Sequence, residues 1–326
     1  MDSEAQQRRS SGVPAAGSHG GDGQRIAIAL GIDPADVLDL SMSLNPLAPD
    51  VSKIIAAHLD SLRLYPDASE ATSLFAEALG ADPSQVVLTN GGSEAIMLVA
   101  QEIRRASIVE PEFSQYRRYL EVVDPSYPRF RSNPNNPTGQ LAGPEEEALV
   151  WDEAFYPLAT GSWSRGDARY GSVVVGSFTK LMACPGLRVG YVVAPDDVMA
   201  ARVASRQAEW SVGALALASL PDLLAVADLP RWAAELSGLR CDLIDLLERY
   251  GLKPEPSDAN FVLVRQAGGL REILAKRGVV VRDCRNFGLD GCVRIAVPDA
   301  AGLEKLEVAL ERAGYEVDSS FRGAAG

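Results

Sequence analysis

Histidine and cysteine are scarce in this sequence of 326 residues, and each scarcity excludes a class of site. The two histidines, His19 and His58, lie far apart in the chain. This excludes a metal site built from several histidines, and a Ser-His-Asp triad would have to use one of the two. The four cysteines form no CxxC pair, which excludes a zinc ribbon and a thioredoxin-type motif. Sparse cysteine is typical of a reducing compartment, so we predict a cytoplasmic protein.

Positive charge is also in deficit, with 31 Lys and Arg against 44 Asp and Glu and a formal net charge of −13. Nucleic acids and anionic membrane surfaces bind proteins through a basic face, so this balance argues against both partners. No apolar run reaches membrane-spanning length. A small anionic substrate stays compatible with this charge, provided that a few arginines converge locally.

The remaining composition is that of a globular chain long enough for two domains. Short apolar runs alternate with amphipathic segments, and strands are expected at 86–88, 173–175 and 189–193. Such alternation predicts an α/β fold with a mainly parallel sheet. After a mostly helical stretch over 195–250, the pattern predicts a smaller α+β domain with strands at 261–264, 279–281 and 293–297.

Two segments near the N-terminus have a distinct character. Residues 1–18 are rich in Ser, Gly, Ala and charge and almost lack large apolar side chains, which predicts a disordered tail. Asp50 is a predicted helix N-cap. The apolar spacing after it predicts inward-facing side chains at Ile54, Ile55, Leu59 and Leu62.

A lysine at a strand end is the most specific chemical signal. Ser177-Phe178-Thr179-Lys180 follows a predicted strand that ends at Gly176, and Arg188 stands eight residues after the lysine. A Lys amine can form a Schiff base with an aldehyde cofactor when local charge lowers its pKa. Hydroxyl groups and an arginine suit a cofactor phosphate. The alternative from these residues alone is a surface lysine at the start of a loop.

Three further segments carry weaker signals. Asn90-Gly91-Gly92-Ser93-Glu94 joins a strand to a helix, where backbone N–H groups bind phosphate; the alternative is a turn with an N-cap. The motif NPNNPTG at 133–139 enforces a turn that can present the Asn136 amide to a pocket, or can be purely structural. Asp152 ends an apolar stretch, and if it is buried it needs a cationic partner such as a pyridinium nitrogen; otherwise it belongs to a solvated acidic run.

In their order and combination, these segments resemble the fold-type I pyridoxal-phosphate (PLP) enzymes, the aspartate aminotransferase superfamily. Within it the chain resembles the histidinol-phosphate aminotransferase branch, and most closely the threonine-phosphate decarboxylases of cobalamin biosynthesis. The resemblance runs from about His19 to Gly314. It includes the HGGD opening at 19–22, SMSLNPL at 41–47, CPGLR at 184–188, and Phe155 where most aminotransferases have a tyrosine.

The resemblance implies cofactor roles for the matching residues. Lys180 would form the Schiff base and move protons, and Asp152 would pair with the pyridine nitrogen. Asn136 would hydrogen-bond the phenolate oxygen, and Phe113 would stack on the ring. The cofactor phosphate would be held by Gly92, Ser93, Ser177, Thr179 and Arg188.

The resemblance also implies substrate and subunit contacts. Arg294 would bind the substrate carboxylate, Asn45 would line the pocket, and His19 and Arg282 would contact a substrate phosphate. Tyr65 would reach the cofactor of a neighbouring subunit, which implies a homodimer. The implied organisation is a tail over 1–18, a segment over 19–44 that joins the small domain, a large PLP-binding domain over 45–228, and a small domain over 229–326.

The function implied is PLP-dependent decarboxylation of L-threonine O-3-phosphate to aminopropanol phosphate. The HGG opening, Phe155 and the PGLR run favour this reaction over its first alternative, an aminotransferase that acts on histidinol phosphate or another amino acid. A second alternative is a non-catalytic binding or scaffold protein.

Two shortened segments motivate that last alternative. Only Leu120 to Ser132 separates the PEFSQYRRY segment from NPNNPTG, and 127–132 lacks a convincing strand pattern. Only Gln140 to Val150 then precede Trp151, whereas a full crossover with its helix needs at least about 10–12 residues. We therefore expect a clipped helix beside Asn136 and Asp152.

Overall fold

The computed structural model describes residues 12–17 and 19–317. The helices in this part of the chain are α1 Gly23–Leu30, α2 Ser52–Ala57, α3 Ser69–Leu79, α4 Gly92–Ile103, α5 Gln115–Tyr119, α6 Tyr156–Thr160, α7 Phe178–Leu181, α8 Asp197–Ala204, α9 Ala214–Ala225, α10 Leu229–Arg249, α11 Leu270–Ala275 and α12 Ala300–Arg312. The strands are β1 Leu38–Asp39, β2 Val86–Thr89, β3 Arg105–Ala106, β4 Val122–Val123, β5 Phe130–Ser132, β6 Val150–Asp152, β7 Val173–Ser177, β8 Gly190–Val193, β9 Lys253–Pro254, β10 Phe261–Arg265, β11 Val279–Val280, β12 Arg282–Asp283 and β13 Val293–Ala296. Among the described residues, none of the helices combines the length and the apolar character that a membrane crossing requires.

The chain forms two compact units, whose division falls within α10. The larger unit comprises Leu44–Ser237 and Asp258–Asn260. The smaller unit comprises Gly238–Ser257 together with the described residues up to Ser43 and from Phe261 onward. The domain boundaries drawn from the sequence, at 44/45 and 228/229, stay predictions.

A mainly parallel sheet forms the centre of the larger unit. Its five strands lie in the order β2-β8-β7-β6-β5. Since β8 is antiparallel to both of its neighbours and β7, β6 and β5 are parallel, four of the five strands run in one direction. Strands β2, β7 and β8 are buried and mostly apolar, as expected for a sheet covered on both faces. The predicted α/β fold is confirmed.

The shortened segment over 120–132 nevertheless supplies two strands. Strand β4 pairs in parallel with β3, and a single parallel bridge between Ser107 and Arg129 links this ladder to the edge of the sheet. The expectation that 127–132 contains no strand is wrong for β5. Phe130 is fully buried, and its ring stacks on the Tyr116 ring at 4.2 Å. This packing stabilises the strand, although the arginines on either side of Phe130 interrupt the apolar sequence pattern.

The sequence predicted a clipped helix in the connection from β5 to β6, but this connection contains no helix at all. Residues 133–149 form turns and irregular chain between these two parallel neighbours. The strands still pair in register, with Ser132 opposite Asp152. The clipped crossover therefore leaves the ends of β5 and β6 aligned.

The apolar face that follows Asp50 is only partly covered. Ile54 and Ile55 are half-buried, but Leu59 is 52% and Leu62 is 64% exposed, so the prediction that these two face inward is wrong for this chain alone. Helix α2 ends at Ala57, and a 3-10 segment begins at Leu59. A helical spacing of apolar residues indicates a face that is buried from water, but it does not identify which chain buries that face.

In the smaller unit, an antiparallel sheet has the order β12-β13-β10-β9, and β1 pairs in parallel with β11. Residues 12–17, which were assigned to the tail, are hydrogen-bonded here. The buried Arg271 donates to Pro14 O at 3.0 Å and pairs with Asp22 at 3.3 Å, while Arg25 donates to Ala15 O at 2.7 Å. The rest of the predicted tail, residues 1–11 and Ser18, lies outside the described residues.

The aromatic core of the larger unit gives a first prediction. Phe75 is fully buried, with its ring 4.8 Å from Phe178 and 4.6 Å from Tyr191. Phe75→Ala is expected to lower the free energy of unfolding by about 3–5 kcal/mol, since it leaves a cavity. The adjacent, partly exposed Leu74 is the control, and Leu74→Ala should cost about 0.5 kcal/mol. Urea unfolding measures both; equal losses would contradict this description of the core.

Candidate active site

The predicted lysine lies on a short helix at the end of β7. The Ser177 hydroxyl caps α7 by accepting from Thr179 N at 3.2 Å, and its Oγ lies 2.8 Å from the Thr179 hydroxyl. Lys180 is half-buried one residue further on. Asn45 fixes this turn, because its backbone amide donates to Lys180 O and its side-chain amide to Leu181 O, both at 3.0 Å. The structure thus brings the two hydroxyls, the lysine and Asn45 together.

A glycine-lined cradle lies at the start of α4. Gly91 has a φ of 78°, a conformation that favours glycine, and the helix begins at Gly92 with Ser93 as its second residue. Strand β8 approaches so closely that a Cβ on Gly190 would lie 2.5 Å from Gly92 N. The free N–H groups of this helix end and its macrodipole favour an anion.

A cation stands beside the cradle. The Arg188 side chain packs against Gly91, where an added Cβ would collide with the guanidinium, and it donates to Asn90 O at 3.5 Å. Arg188 itself has a φ of 59°, which is uncommon for a residue with a side chain. Backbone amides and a guanidinium around one cradle form a donor set that suits phosphate.

The predicted carboxylate is buried at the end of β6. Asp152 Oδ2 accepts from the Tyr116 hydroxyl at 2.7 Å, and Oδ1 accepts from Ala154 N at 3.0 Å. Burial raises the pKa of Asp152 above its ordinary value, and the two hydrogen bonds oppose that rise. No ion pair of Asp152 occurs among residues 12–17 and 19–317. A buried carboxylate without a cationic partner fits a protonated ring nitrogen.

The NPNNPTG turn is attached to that carboxylate strand. Asn133 N donates to Asp152 O at 2.8 Å. Asn136 is buried, and its backbone amide donates to the Ser132 hydroxyl at 2.7 Å. The register of β5 and β6 therefore places Asn136 and Asp152 at one edge of the sheet, as parallel strand ends require.

Tyr116 and Glu112 were missed in the sequence, although both lie in the PEFSQY segment that supplied Phe113. Phe113 is half-buried, and its ring meets the Tyr116 ring edge-on at 5.9 Å. The spacing of three residues would have placed Tyr116 on the same helical face as Phe113. Nothing local marks Glu112 as buried, because its partner Ser132 is 20 residues away.

Three predicted substrate residues lie in the smaller unit. Arg282 on β12 stands directly opposite Arg294 on β13, and the two are only 4% and 6% exposed. Arg294 packs over the Phe261 ring at 4.5 Å, and Arg282 donates to Gly17 O at 3.2 Å, two residues from the exposed His19. Burial, together with the charge of Arg282, lowers the pKa of Arg294 to about 10. Adjacent like charges in a buried sheet favour a bound anion.

Tyr65 is distant from these residues in the sequence, and it lies on the surface of the larger unit. Its side chain is 79% exposed, and its ring contacts that of Trp210 at 4.8 Å.

The sheet, the lysine turn and the buried carboxylate define a PLP-dependent α/β enzyme of fold type I. The family model described as aminotransferase class I and II matches residues 130–312, and the chain belongs to this family. Pyridoxal phosphate is its cofactor.

Two curated relatives and one solved structure show how similar the chain is to members of this family. It is 32% identical to threonine-phosphate decarboxylase of Salmonella typhimurium, over 90% of this chain and 95% of that protein. It is 29% identical to histidinol-phosphate aminotransferase 1 of Dechloromonas aromatica, over 87% of this chain and 93% of that protein. The structure of L-threonine-O-3-phosphate decarboxylase from Porphyromonas gingivalis superposes with a TM-score of 0.74 at 27% identity, over 85% of this chain and 98% of that chain.

The close approach at Gly190 gives a second prediction. Gly190→Ala is expected to weaken PLP binding and to lower the free energy of unfolding by about 1–3 kcal/mol, since the added methyl group meets backbone atoms of the cradle. Gly186 is the control: it lies in the preceding loop with no atom within 4 Å of an added Cβ, so Gly186→Ala should match wild type. Fluorescence titration with PLP and urea unfolding report the two effects. Wild-type affinity in Gly190→Ala would rule out the cradle as the phosphate site.

Proposed function

We propose that the chain decarboxylates L-threonine O-3-phosphate to aminopropanol phosphate, in the biosynthesis of cobalamin. The observation that carries the proposal is the buried pair of arginines, Arg282 and Arg294, on neighbouring strands. Two adjacent guanidinium groups suit a substrate with two anionic groups, a carboxylate and a phosphate. The likeness to threonine-phosphate decarboxylase supports the same reaction.

The cofactor site follows from the larger unit. Bound PLP supplies an electron sink for a bond broken at the substrate Cα. Asp152 would hold the ring nitrogen protonated, Asn136 would bind the phenolate oxygen, and Phe113 would cover the ring. The phosphate would be held by the cradle and its neighbours, Gly92, Ser93, Ser177, Thr179 and Arg188.

The smaller unit would bind and orient the substrate. Arg294 would hold the carboxylate, while Arg282 and His19 would hold the phosphate. In the larger unit, Asn45 would contact the substrate beside Lys180, whose turn it fixes. Decarboxylation replaces the carboxylate by hydrogen, so one proton must reach Cα after CO₂ leaves. The Lys180 amine would deliver that proton.

A homodimer would complete the site. Leu59, Leu62, Leu64, Tyr65 and Trp210 are all more than half exposed. Large exposed apolar side chains that cluster are typical of an interface. We propose that a second copy covers this patch, that Tyr65 reaches the partner's cofactor, and that the dimer is cytoplasmic.

Transamination with the same cofactor is the second candidate, favoured by the likeness to histidinol-phosphate aminotransferase. Product analysis separates the two. The protein is incubated with PLP and L-threonine O-3-phosphate, and mass spectrometry follows the amine and the keto acid. Aminopropanol phosphate with CO₂ is expected. A keto acid formed only with an amino acceptor would instead identify an aminotransferase, and Lys180→Ala is the inactive control for either reaction.

The arginine pair gives a further prediction. Arg294→Ala is expected to raise KM for the phosphorylated substrate by about 10–100-fold, since a charge-assisted hydrogen bond is lost, while PLP affinity stays within about twofold. Arg265 on β10 of the same sheet is the control; it pairs with Glu255 and is more exposed, so Arg265→Ala should change neither quantity. Steady-state kinetics and PLP titration measure them. Equal losses of substrate and cofactor binding would show that Arg294 is structural.

A further inference from the structure

Glu112 is a buried carboxyl group to which the proposed reaction assigns no part. It is 1% exposed and lies between β3 and α5 in the larger unit. The Ser132 hydroxyl donates to Glu112 Oε2 at 2.5 Å, and Ser132 N lies 3.2 and 3.3 Å from its two oxygens. A single carboxyl group therefore takes both polar hydrogens of Ser132.

Ser132 connects Glu112 to the residues at the sheet edge. It ends β5 directly opposite Asp152, and its hydroxyl accepts from the backbone amide of Asn136 at 2.7 Å. The same hydroxyl also interacts with Tyr116, where it opposes the rise in the phenol pKa that burial causes, and Tyr116 donates to Asp152. One serine thus joins Glu112 to both sides of the proposed ring site.

We infer that Glu112 is a positioning residue of the cofactor site, which holds Asn136 and the Tyr116–Asp152 pair in place through Ser132. The inference rests on the cofactor roles proposed above for Asn136 and Asp152. Glu112 itself does not have to touch the cofactor, because removing it would free both hydrogens of Ser132 at the point where β5 ends.

Burial keeps the carboxyl group of Glu112 neutral. Burial raises its pKa to about 8, and the charge of Asp152 adds to the rise, while the hydrogen bonds from Ser132 and the charge of Arg129 oppose it. Tyr116 and Asp152 are further titratable groups in this network, and burial raises the pKa of each. With a pKa of about 8, Glu112 is mostly protonated at neutral pH and adds no second negative charge beside Asp152.

Unfolding of the apoprotein tests that charge state without cofactor or substrate. The folded pKa of Glu112 lies above the ordinary value of 4.5, so the stability from its protonated form is complete below about pH 4.5 and is lost as pH rises through about 8. Glu112→Gln does not titrate. Its Tm relative to wild type should therefore increase by several degrees from pH 5 to pH 9.

The control is Glu121→Gln, which changes an exposed carboxylate paired with Arg104. Its Tm difference from wild type should not show this rise. A difference for Glu112→Gln that is the same at all pH values would refute the neutral carboxyl group.

PLP titration followed by fluorescence, again without substrate, tests the positioning role. Glu112→Ala should weaken PLP binding about tenfold, because it leaves the hydrogens of Ser132 without their acceptor. Glu112→Gln keeps an acceptor oxygen and should stay within about threefold of wild type. Wild-type affinity in Glu112→Ala, or no rescue by Gln, would overturn the inference. Neither measurement involves the substrate, so a failed decarboxylase assay would not affect them.

Discussion

A buried carboxylate needs hydrogen-bond donors or a cation to compensate for the loss of water. The larger unit has to supply such partners for Asp152. Burial raises the pKa of Asp152, and the hydrogen bonds from the Tyr116 hydroxyl and the Ala154 amide oppose that rise. Tyr116 is held in turn by the stacked ring of Phe130. The neighbouring Glu112 avoids a second negative charge by staying protonated. The network provides no cationic partner for Asp152 among the described residues, and we propose that a protonated cofactor ring supplies one.

The shortened connections show which parts of this fold are dispensable. No helix connects β5 to β6, yet the two strands pair in register. This register places Ser132 opposite Asp152. A parallel pair positions its C-terminal ends through backbone hydrogen bonds, whereas the crossover only has to return the chain. The alignment of the strand ends is therefore kept without a helix in this connection, which weakens the case for a non-catalytic protein.

Much of this architecture could be predicted from the sequence. The strand before Lys180 and the helix after Gly92 follow from continuous apolar runs and glycine turns, and both form as expected. Strand β5 could not be predicted, since its order comes from the contact of Phe130 with Tyr116, residues far apart in the chain. The environment of Glu112 depends on Ser132 in the same way. The apolar period through Leu59 and Leu62 marked a face to be covered, but did not identify the chain that covers it.

The opposed arginines of the smaller unit also bear on how this chain evolves. Burial, together with the charge of Arg282, disfavours the charged form of Arg294, so we expect that replacing this arginine by leucine or methionine would stabilise the fold. Selection for folding alone would take that route. In a lineage that is no longer selected for activity, we expect substitutions that stabilise the smaller unit and remove its anion-binding groups. In a lineage that keeps both arginines, we expect the smaller unit to stay less stable, because anion binding is still selected.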